Sequence, residues 1–487
     1  MISSDTPTQK KAPSPHPTKP GSIPAKTIAI VGAGAAGFFT AITLLEKNPQ
    51  VAIILYEAAP KPLQKVRISG GGRCNLTHAC FEPQELAAHY PRGEKALLGM
   101  FSRFQPKDTI QWFESHGLPL KTEPDGRIFP QANTSDAVID LFLNLASIYK
   151  SRFVLKRKTR VLAIAQQASG TFLITSETET QPAKNPQTHS HNATATKVKT
   201  TESVDCCVLA TGYSPPGWQL AEALGHSIKP VAPSLFPFKI NQSLLTGLQG
   251  ISIAPCKGTL TVSSQASTSQ SNKNPQSDKK LSSQNKASHK KKPFKTAAEG
   301  ILLVTHHGVS GPLIYRLSAW GAQALKNSQY QASLHLDFLP DCLPSELDND
   351  LQAFWHENRL KQAGNTRFKA FPQRFWQALL TEASIDLTQR VDRISKKQHQ
   401  TLAALLKQLP LTVTGKSPSK EEFVSCGGVP LNEIDCKTME SNRVKNLYLA
   451  GEILDIDGLT GGFNFQACWT AAWIISDALS VSDPCYD

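Results

Sequence analysis

An α/β fold built on a Rossmann-like dinucleotide-binding unit is what this sequence predicts, and three observations predict it. An apolar, β-branched run at 27–31 leads straight into the GxGxxG turn formed by Gly32, Gly34 and Gly37, and then into an apolar helix. A second apolar run, 51–56, ends at Glu57, twenty residues beyond Gly37. Far down the chain, an apolar strand at 447–450 reaches Gly451-Glu452 and, past a glycine-bearing loop, a helix beginning at about Phe463.

The first run has the continuous apolar character of a parallel strand covered on both faces. Gly32 permits the tight turn after it. Gly34 lets a pyrophosphate approach the backbone N–H groups at the helix N-terminus, and Gly37 lets helix and strand pack closely. Ala33 and Ala36 complete the small-residue turn that would hold the phosphates. Glu57 stands where a carboxylate accepts hydrogen bonds from an adenosine ribose. A lone GxGxxG is also found in structural turns, but here strand, turn, helix, second strand and acid agree. Residues 204–216, VDCCVLATGYSPP, read as a further strand running into Ala210-Thr211-Gly212.

Between these elements lies KVRISGGGRCNLTH, residues 65–78. Each glycine costs about 0.5–1 kcal/mol relative to alanine in a regular element, so three in a row imply close approach to the backbone. Ser69, Gly70, Gly71 and Gly72 are therefore expected to line a cofactor. Arg73 is a candidate for stabilising an anionic reduced cofactor or a substrate oxygen, Asn75 for orienting a polar partner, and Cys74 for redox or proton transfer. A packed, unreactive thiol is the competing reading of Cys74. His306, in THHGVSGP at 305–312, is read either as an active-site imidazole or as a turn residue.

With 487 residues, 40% of them hydrophobic, the chain suffices for two or three domains with real cores. No apolar run approaches the roughly 20 residues of a bilayer span, and the N-terminal stretch has neither a signal peptide's apolar core nor a transit peptide's arginines. A cytoplasmic location is the expectation. The ten cysteines form no CxxC pair, which argues against a redox disulfide, a zinc site and a disulfide scaffold alike, so no metal is expected. The net charge of +13 is concentrated: residues 263–298 hold eight lysines against one aspartate, and residues 1–26 hold four against one. Both stretches are rich in Ser, Gln, Asn, Pro and Lys, a composition that cannot offset the entropy of ordering. They either solubilise the protein or meet a polyanion such as RNA. A third polar stretch, 177–203, reads as an extended loop.

Taken in order, GAGAAG, SGGGRCN, THHGVSGP, GGVPLNEIDCKTMES (427–441) and GEILDIDGLTGGFNFQ (451–466) resemble the HI0933-like flavoproteins, also called the BaiN or aminoacetone oxidase-type family. The resemblance runs from about residue 26 to 480. It implies FAD held in a discontinuous domain, 26–232 with 423–482, following a disordered basic tail at 1–25. A mostly β insert, 233–346, would carry the lysine-rich loop 263–298, and a small helical subdomain would occupy 347–422. The resemblance also implies that Ala210-Thr211-Gly212 is the ATG motif of such flavoproteins and that Val161 joins the cofactor set. Glu452, where Asp is commoner, would bind the ribityl chain, and the helix after Gly462-Phe463-Asn464 would aim its positive N-terminus at the flavin. The implied activity is FAD-dependent reduction of an activated C=C bond, with uridine in 23S ribosomal RNA as leading substrate and dihydrouridine as product. The alternatives are an NAD(P)H- or O2-linked enzyme acting on a small enone or aminoketone, and an RNA-binding protein whose FAD is structural. No second strand–GxGxxG–helix occurs, so NADH or NADPH is expected as a transient donor rather than a resident ligand.

Overall fold

The computed structural model describes residues 26–180, 196–263, 292–417 and 424–480. The basic tail 1–25 and most of the lysine-rich stretch lie outside the described residues. The chain forms two compact units: one comprises the residues up to Val231 together with those from Ser425 onward, the other Ala232–Val424.

The first unit is laid on a seven-stranded sheet. Five strands are parallel, in the spatial order Leu447–Leu449, Cys206–Leu209, β1 (Lys26–Val31), β2 (Val51–Tyr56) and Phe153–Lys156. Two short antiparallel strands, Glu440–Ser441 and Ile434–Asp435, extend the sheet beyond Leu447–Leu449. Ile28, Ala29 and Ile30 have no exposed surface, as a central parallel strand requires. The crossover from β1 to β2 is α1 (Ala35–Lys47), which packs on the final helix, Phe463–Ser480. Phe38, Phe39, Ala41 and Ile42 are fully buried there, and the two helices also share a hydrogen bond of 2.6 Å between Thr43 Oγ1 and Ser476 Oγ.

Strand register decides where a site can form. Val31 pairs with Leu209 on one side and Tyr56 on the other, and Leu209 pairs with Leu449. Since all four strands are parallel, their carboxyl ends finish at one level. The segments that follow, beginning at Gly32, Glu57, Ala210 and Ala450, therefore emerge along one edge of the sheet, where open α/β sheets bind ligands.

The stretch 177–203 departs from the expected loop. Phe172–Thr180 and Thr196–Val204 are strands, paired from Phe172↔Val204 to Thr180↔Thr196 and flanked by Thr159–Gln166; residues 181–195 lie outside the described residues. Threonine and valine suit a pleated surface, and a cross-strand ion pair of 2.8 Å joins Lys197 to Glu177. Much of Thr196–Val204 faces solvent, so no apolar alternation marked it.

The second unit is a closed barrel of six strands, in the order Phe238–Ile240, Gly308–Ser310, Phe294–Thr305, Ser252–Val262, Ala332–Asp337 and Leu409–Lys416. Its apolar core is continuous with that of the helices Pro312–Asn327, Pro344–Glu357, Gln373–Glu382 and Lys396–Gln408. The strand Phe294–Thr305 starts inside the segment expected to be disordered up to 298. Pairing of Phe294, Lys295 and Thr296 with Val262, Thr261 and Leu260 overrides the polar composition. Among the described residues no helix is long and apolar enough to cross a membrane.

Candidate cofactor site and active site

At the end of β1 the three motif glycines divide into two jobs. Gly32 has φ +108°, and a Cβ there would lie 2.4 Å from the Ala210 carbonyl oxygen. At Gly37 a Cβ would lie 1.9 Å from the Gly32 oxygen, so helix and turn touch through backbone alone. A Cβ at Gly34 would meet nothing within 4 Å, which leaves open space at the N-terminus of α1. Ala33 and Ala36 flank that space. Ala33 N donates to Glu57 Oε2 at 3.1 Å and Ala59 N donates to Oε1 at 2.8 Å. The Glu57 carboxylate is thus fixed at the strand edge, and each oxygen keeps a further lone pair for a ligand hydroxyl.

The C-terminal motif reaches the same place. Gly451, φ +78°, comes so close to α1 that a Cβ would lie 3.3 Å from Ala36 Cβ and 3.4 Å from Cys468 Sγ. Burial pushes the Cys468 thiol up to about 12, with the Glu452 charge adding to the shift. Glu452 is ion-paired with Lys65, and both lie just under 4 Å from where a Cβ on Gly212 would project. Lys65 was not singled out by the sequence pattern, although it opens the stretch that carries the glycines. Thr211 and Ala210 line the same edge, beneath Gly32. Val161 is buried on the strand Thr159–Gln166.

α2 (Gln64–Gly72) breaks at Ser69, and Gly70, Gly71 and Gly72 follow with φ of +57°, +68° and +84°. Three consecutive left-handed residues would cost other amino acids roughly 1–2 kcal/mol each. Side chains at Gly71 or Gly72 would enter open space, whereas one at Gly70 would press on Asn75 N and Phe129 at 3.1 Å. Asn75 is buried, and its Oδ1 accepts from Ile128 N at 3.3 Å. Arg73 remains accessible. Its Nη1 donates to Glu123 Oε1 at 2.7 Å and its guanidinium lies 4.0 Å from the centre of the Phe129 ring. Glu123 Oε2 also accepts from Arg127 Nη2 at 2.9 Å.

Cys74, expected as a candidate for redox or proton transfer, has no exposed surface. Burial pushes its thiol up to about 12, only partly opposed by a hydrogen bond with Ser69, so the group stays protonated in the core. The geometry corresponds to the packed reading. His306 belongs to the second unit, exposed in the turn between Phe294–Thr305 and Gly308–Ser310.

The final helix is tied to the strand that follows the glycines. Gly462 is so near Thr77 that a Cβ would lie 2.5 Å from the Thr77 oxygen, and Thr77 Oγ1 donates to Gln466 Oε1 at 2.6 Å. Phe463 stacks on His78 at 4.7 Å and on His89 at 4.2 Å. Asn464 spends its side chain on Gly458, accepting from N and donating to O, both at 2.9 Å. His78 Nε2 faces the Asp125 carbonyl oxygen at 3.1 Å and must donate to it, which leaves Nδ1 as a buried acceptor with no partner. Burial lowers the pKa of this ring, outweighing the Asp125 carbonyl and carboxylate that oppose it.

The family profile described as HI0933-like protein Rossmann domain matches residues 26–478. The chain belongs to the HI0933-like family. In this family the Rossmann-type unit is that of an FAD-dependent oxidoreductase. One relative is the ribosomal RNA dihydrouridine synthase of Escherichia coli (strain K12), 25% identical over 463 residues, covering 92% of this chain and 97% of that one. Another is the 3-dehydro-bile acid delta(4,6)-reductase of Clostridium scindens, 23% identical over 453 residues, covering 93% and 98%. Among solved structures, the 3-ketosteroid delta1-dehydrogenase of Sterolibacterium denitrificans aligns with a TM-score of 0.44 at 9% identity, covering 94% of this chain and 100% of that one.

The HI0933-like residues fit FAD on the geometry alone. Gly34 leaves room for a pyrophosphate over the positive end of α1, and Glu57 stands fixed at the next strand end. Gly71 and Gly72 leave a side-chain-free surface beside them. What the sequence pattern missed is the support: Glu123, Arg127 and Phe129 around Arg73, Lys65 against Glu452, and His78 beneath Phe463. Only Asp125-Gly126, a turn signal between two short strands, hinted that residues 120–130 fold back as a hairpin.

Proposed function

We propose that this protein reduces the C5=C6 bond of a uridine in 23S ribosomal RNA, with NADH or NADPH as the transient electron donor. The observation that carries the reading is the accessible Arg73 guanidinium, held beside three glycines that present no side chain. FAD, when bound, supplies the two-electron reducing chemistry. Arg73 is held by Nη1–H on Glu123, by Nε–H on the Gly70 carbonyl oxygen at 3.4 Å and at its face by Phe129, which leaves the Nη2 N–H groups for a substrate carbonyl. A hydrogen bond from it to O4 of uracil polarises the conjugated C=C bond toward reduction. Gly71 and Gly72, which face open space, leave room for flat rings close to the backbone, and a base that reacts there must be single-stranded or flipped from its helix. The adjacent carbon needs a proton. Cys74, fully buried, presents no atom from which a reactant could take it.

The RNA substrate is supported by the similarity to the ribosomal RNA dihydrouridine synthase of Escherichia coli and by the lysine-rich composition of 1–26 and 263–298. The Clostridium scindens relative supports a second reading, a small conjugated ketone, by the same chemistry. Mass spectrometry of ribosomal RNA from a strain lacking the protein separates the two. The expected result is loss of one dihydrouridine, restored in vitro by purified FAD-loaded protein with NADH or NADPH. Unchanged dihydrouridine, in a strain whose ribosomal RNA contains it, refutes the RNA substrate.

A further inference from the structure

We infer that a cavity in the helical part of the second unit docks one nucleotide of RNA, its base against Trp355 and its phosphate against Arg359 and Lys396. The inference rests on the RNA reading above and adds an anchoring site on the barrel-and-helix unit, for a nucleotide other than the one that reacts. The cavity, about 580 Å3, is bounded by the helices Pro344–Glu357 and Lys396–Gln408 and the turn Val391–Arg393. That volume falls within the range of small-ligand sites.

Its aromatic wall is fixed in place. Trp355 Nε1–H donates to His399 Nδ1 at 3.0 Å, and His399 Nε2–H donates to Asp348 Oδ1 at 2.6 Å, a chain that neutral histidine satisfies completely. From the core side the indole is backed by Phe354 at 5.1 Å and Trp376 at 6.0 Å. A base stacking on a ring already held this way loses little to ordering of the protein, and such stacking is worth roughly 1–3 kcal/mol.

Two cations on the rim of the wall are available to an anion. Of the two carboxylates in the lining, Asp392 is ion-paired with Arg390, and Asp348 accepts hydrogen bonds from His399 and from Gln352 Nε2 at 2.8 Å. Arg359 and Lys396 are exposed and have no acidic partner among the described residues. Lys396 is also the first residue of a 13-residue helix, capped by the reciprocal Ser395–Gln398 box, so the helix dipole adds to the positive field. A flat π-wall with two unanswered cations on its rim matches a base joined to a phosphate. An acidic peptide would use the cations and leave the indole idle, and a neutral metabolite would leave both cations unpaired.

The test uses the full-length, FAD-loaded protein, with Trp355→Ala in one variant and Arg359→Ala plus Lys396→Ala in another. Circular dichroism and FAD content establish that each folds, and Trp355→Phe supplies a conservative control. Binding of a 23S ribosomal RNA fragment is measured by filter retention across a salt series, with UMP as competitor. Trp355→Ala is expected to weaken RNA binding by about 5- to 100-fold, with Trp355→Phe largely rescuing it. The double variant is expected to lower the slope of log affinity against log salt by about 0.7, the contribution of the one phosphate that the two cations share. Parent-like affinity and slope in folded variants overturn the cavity while the RNA reading stands; absence of RNA binding by the parent overturns both. UMP binding lost without any change toward RNA overturns the RNA anchor and makes the cavity a free-nucleotide site.

Discussion

The division of labour among the motif glycines makes a prediction that separates folding from cofactor binding. In Gly37→Ala the new Cβ would stand 1.9 Å from the Gly32 oxygen, a backbone atom that cannot rotate away. Helix α1 must then lift from the turn it rests on. Overpacking of this kind costs typically 1–3 kcal/mol, and the depth of this overlap puts the expected loss at about 3 kcal/mol. In Gly34→Ala the Cβ meets no atom within 4 Å, and the backbone, at φ −90° and ψ −163°, is extended and open to any residue. The apoprotein should lose less than about 1 kcal/mol, the ordinary difference between glycine and alanine at a helix N-cap. That same methyl occupies the space assigned to the pyrophosphate. Holding the phosphates away from the α1 N–H groups by one methyl radius should cost about 2 kcal/mol, or roughly 30-fold in FAD affinity. Urea unfolding of the apoproteins and titration of each with FAD, followed by flavin fluorescence, give the two quantities independently. Parent-like FAD affinity in Gly34→Ala, or parent-like stability in Gly37→Ala, would refute the assignment.

Three further expectations follow from other parts of the first unit. Arg73→Met should leave FAD bound while lowering kcat/KM for the reducible substrate by about 10²-fold, and an unchanged kcat/KM would remove the guanidinium from the mechanism. Cys74→Ala should cost about 1–2 kcal/mol of stability yet leave oxidation of the reduced enzyme by substrate within about twofold; a tenfold slowing would return the thiol to the chemistry. Glu433 is opposed by burial, but hydrogen bonds from Ser227, Arg443 and His226 outweigh it and hold the carboxyl at about 2, against 4.5 ordinarily. A carboxyl depressed on folding stabilises above its unfolded pKa, so this contribution is complete above about pH 4.5 and is lost as pH falls toward 2. Allowing for solvent screening it amounts to about 1–2 kcal/mol, and Glu433→Gln should flatten the dependence of the urea midpoint on pH across that window; an unaltered slope would contradict it.

The parts of this protein that could be read from sequence are those written in local pattern. β1, its glycine turn and α1 declare themselves within the single stretch Lys26–Lys47, and Glu57 follows at a distance set by one crossover. The strand Cys206–Leu209 was readable as an apolar run, but its place beside β1 was not, because register is decided by which buried faces meet. The strand Thr196–Val204 is not legible in the sequence because it is held by pairing with Phe172–Thr180, whose Phe172 and Ile174 are buried, and not by apolar alternation of its own. The candidate site shows the limit most clearly at two adjacent residues. Arg73 and Cys74 share one loop and invite one functional reading. Yet Arg73 is reached by Glu123, fifty residues away, through a hairpin that turns at Asp125-Gly126, and its guanidinium stays accessible. Cys74, with φ +58°, instead has its side chain fully buried in the core. Spacing within a motif therefore tells which residues share a loop, while burial, fixed by distant partners, decides which of them can meet a reactant.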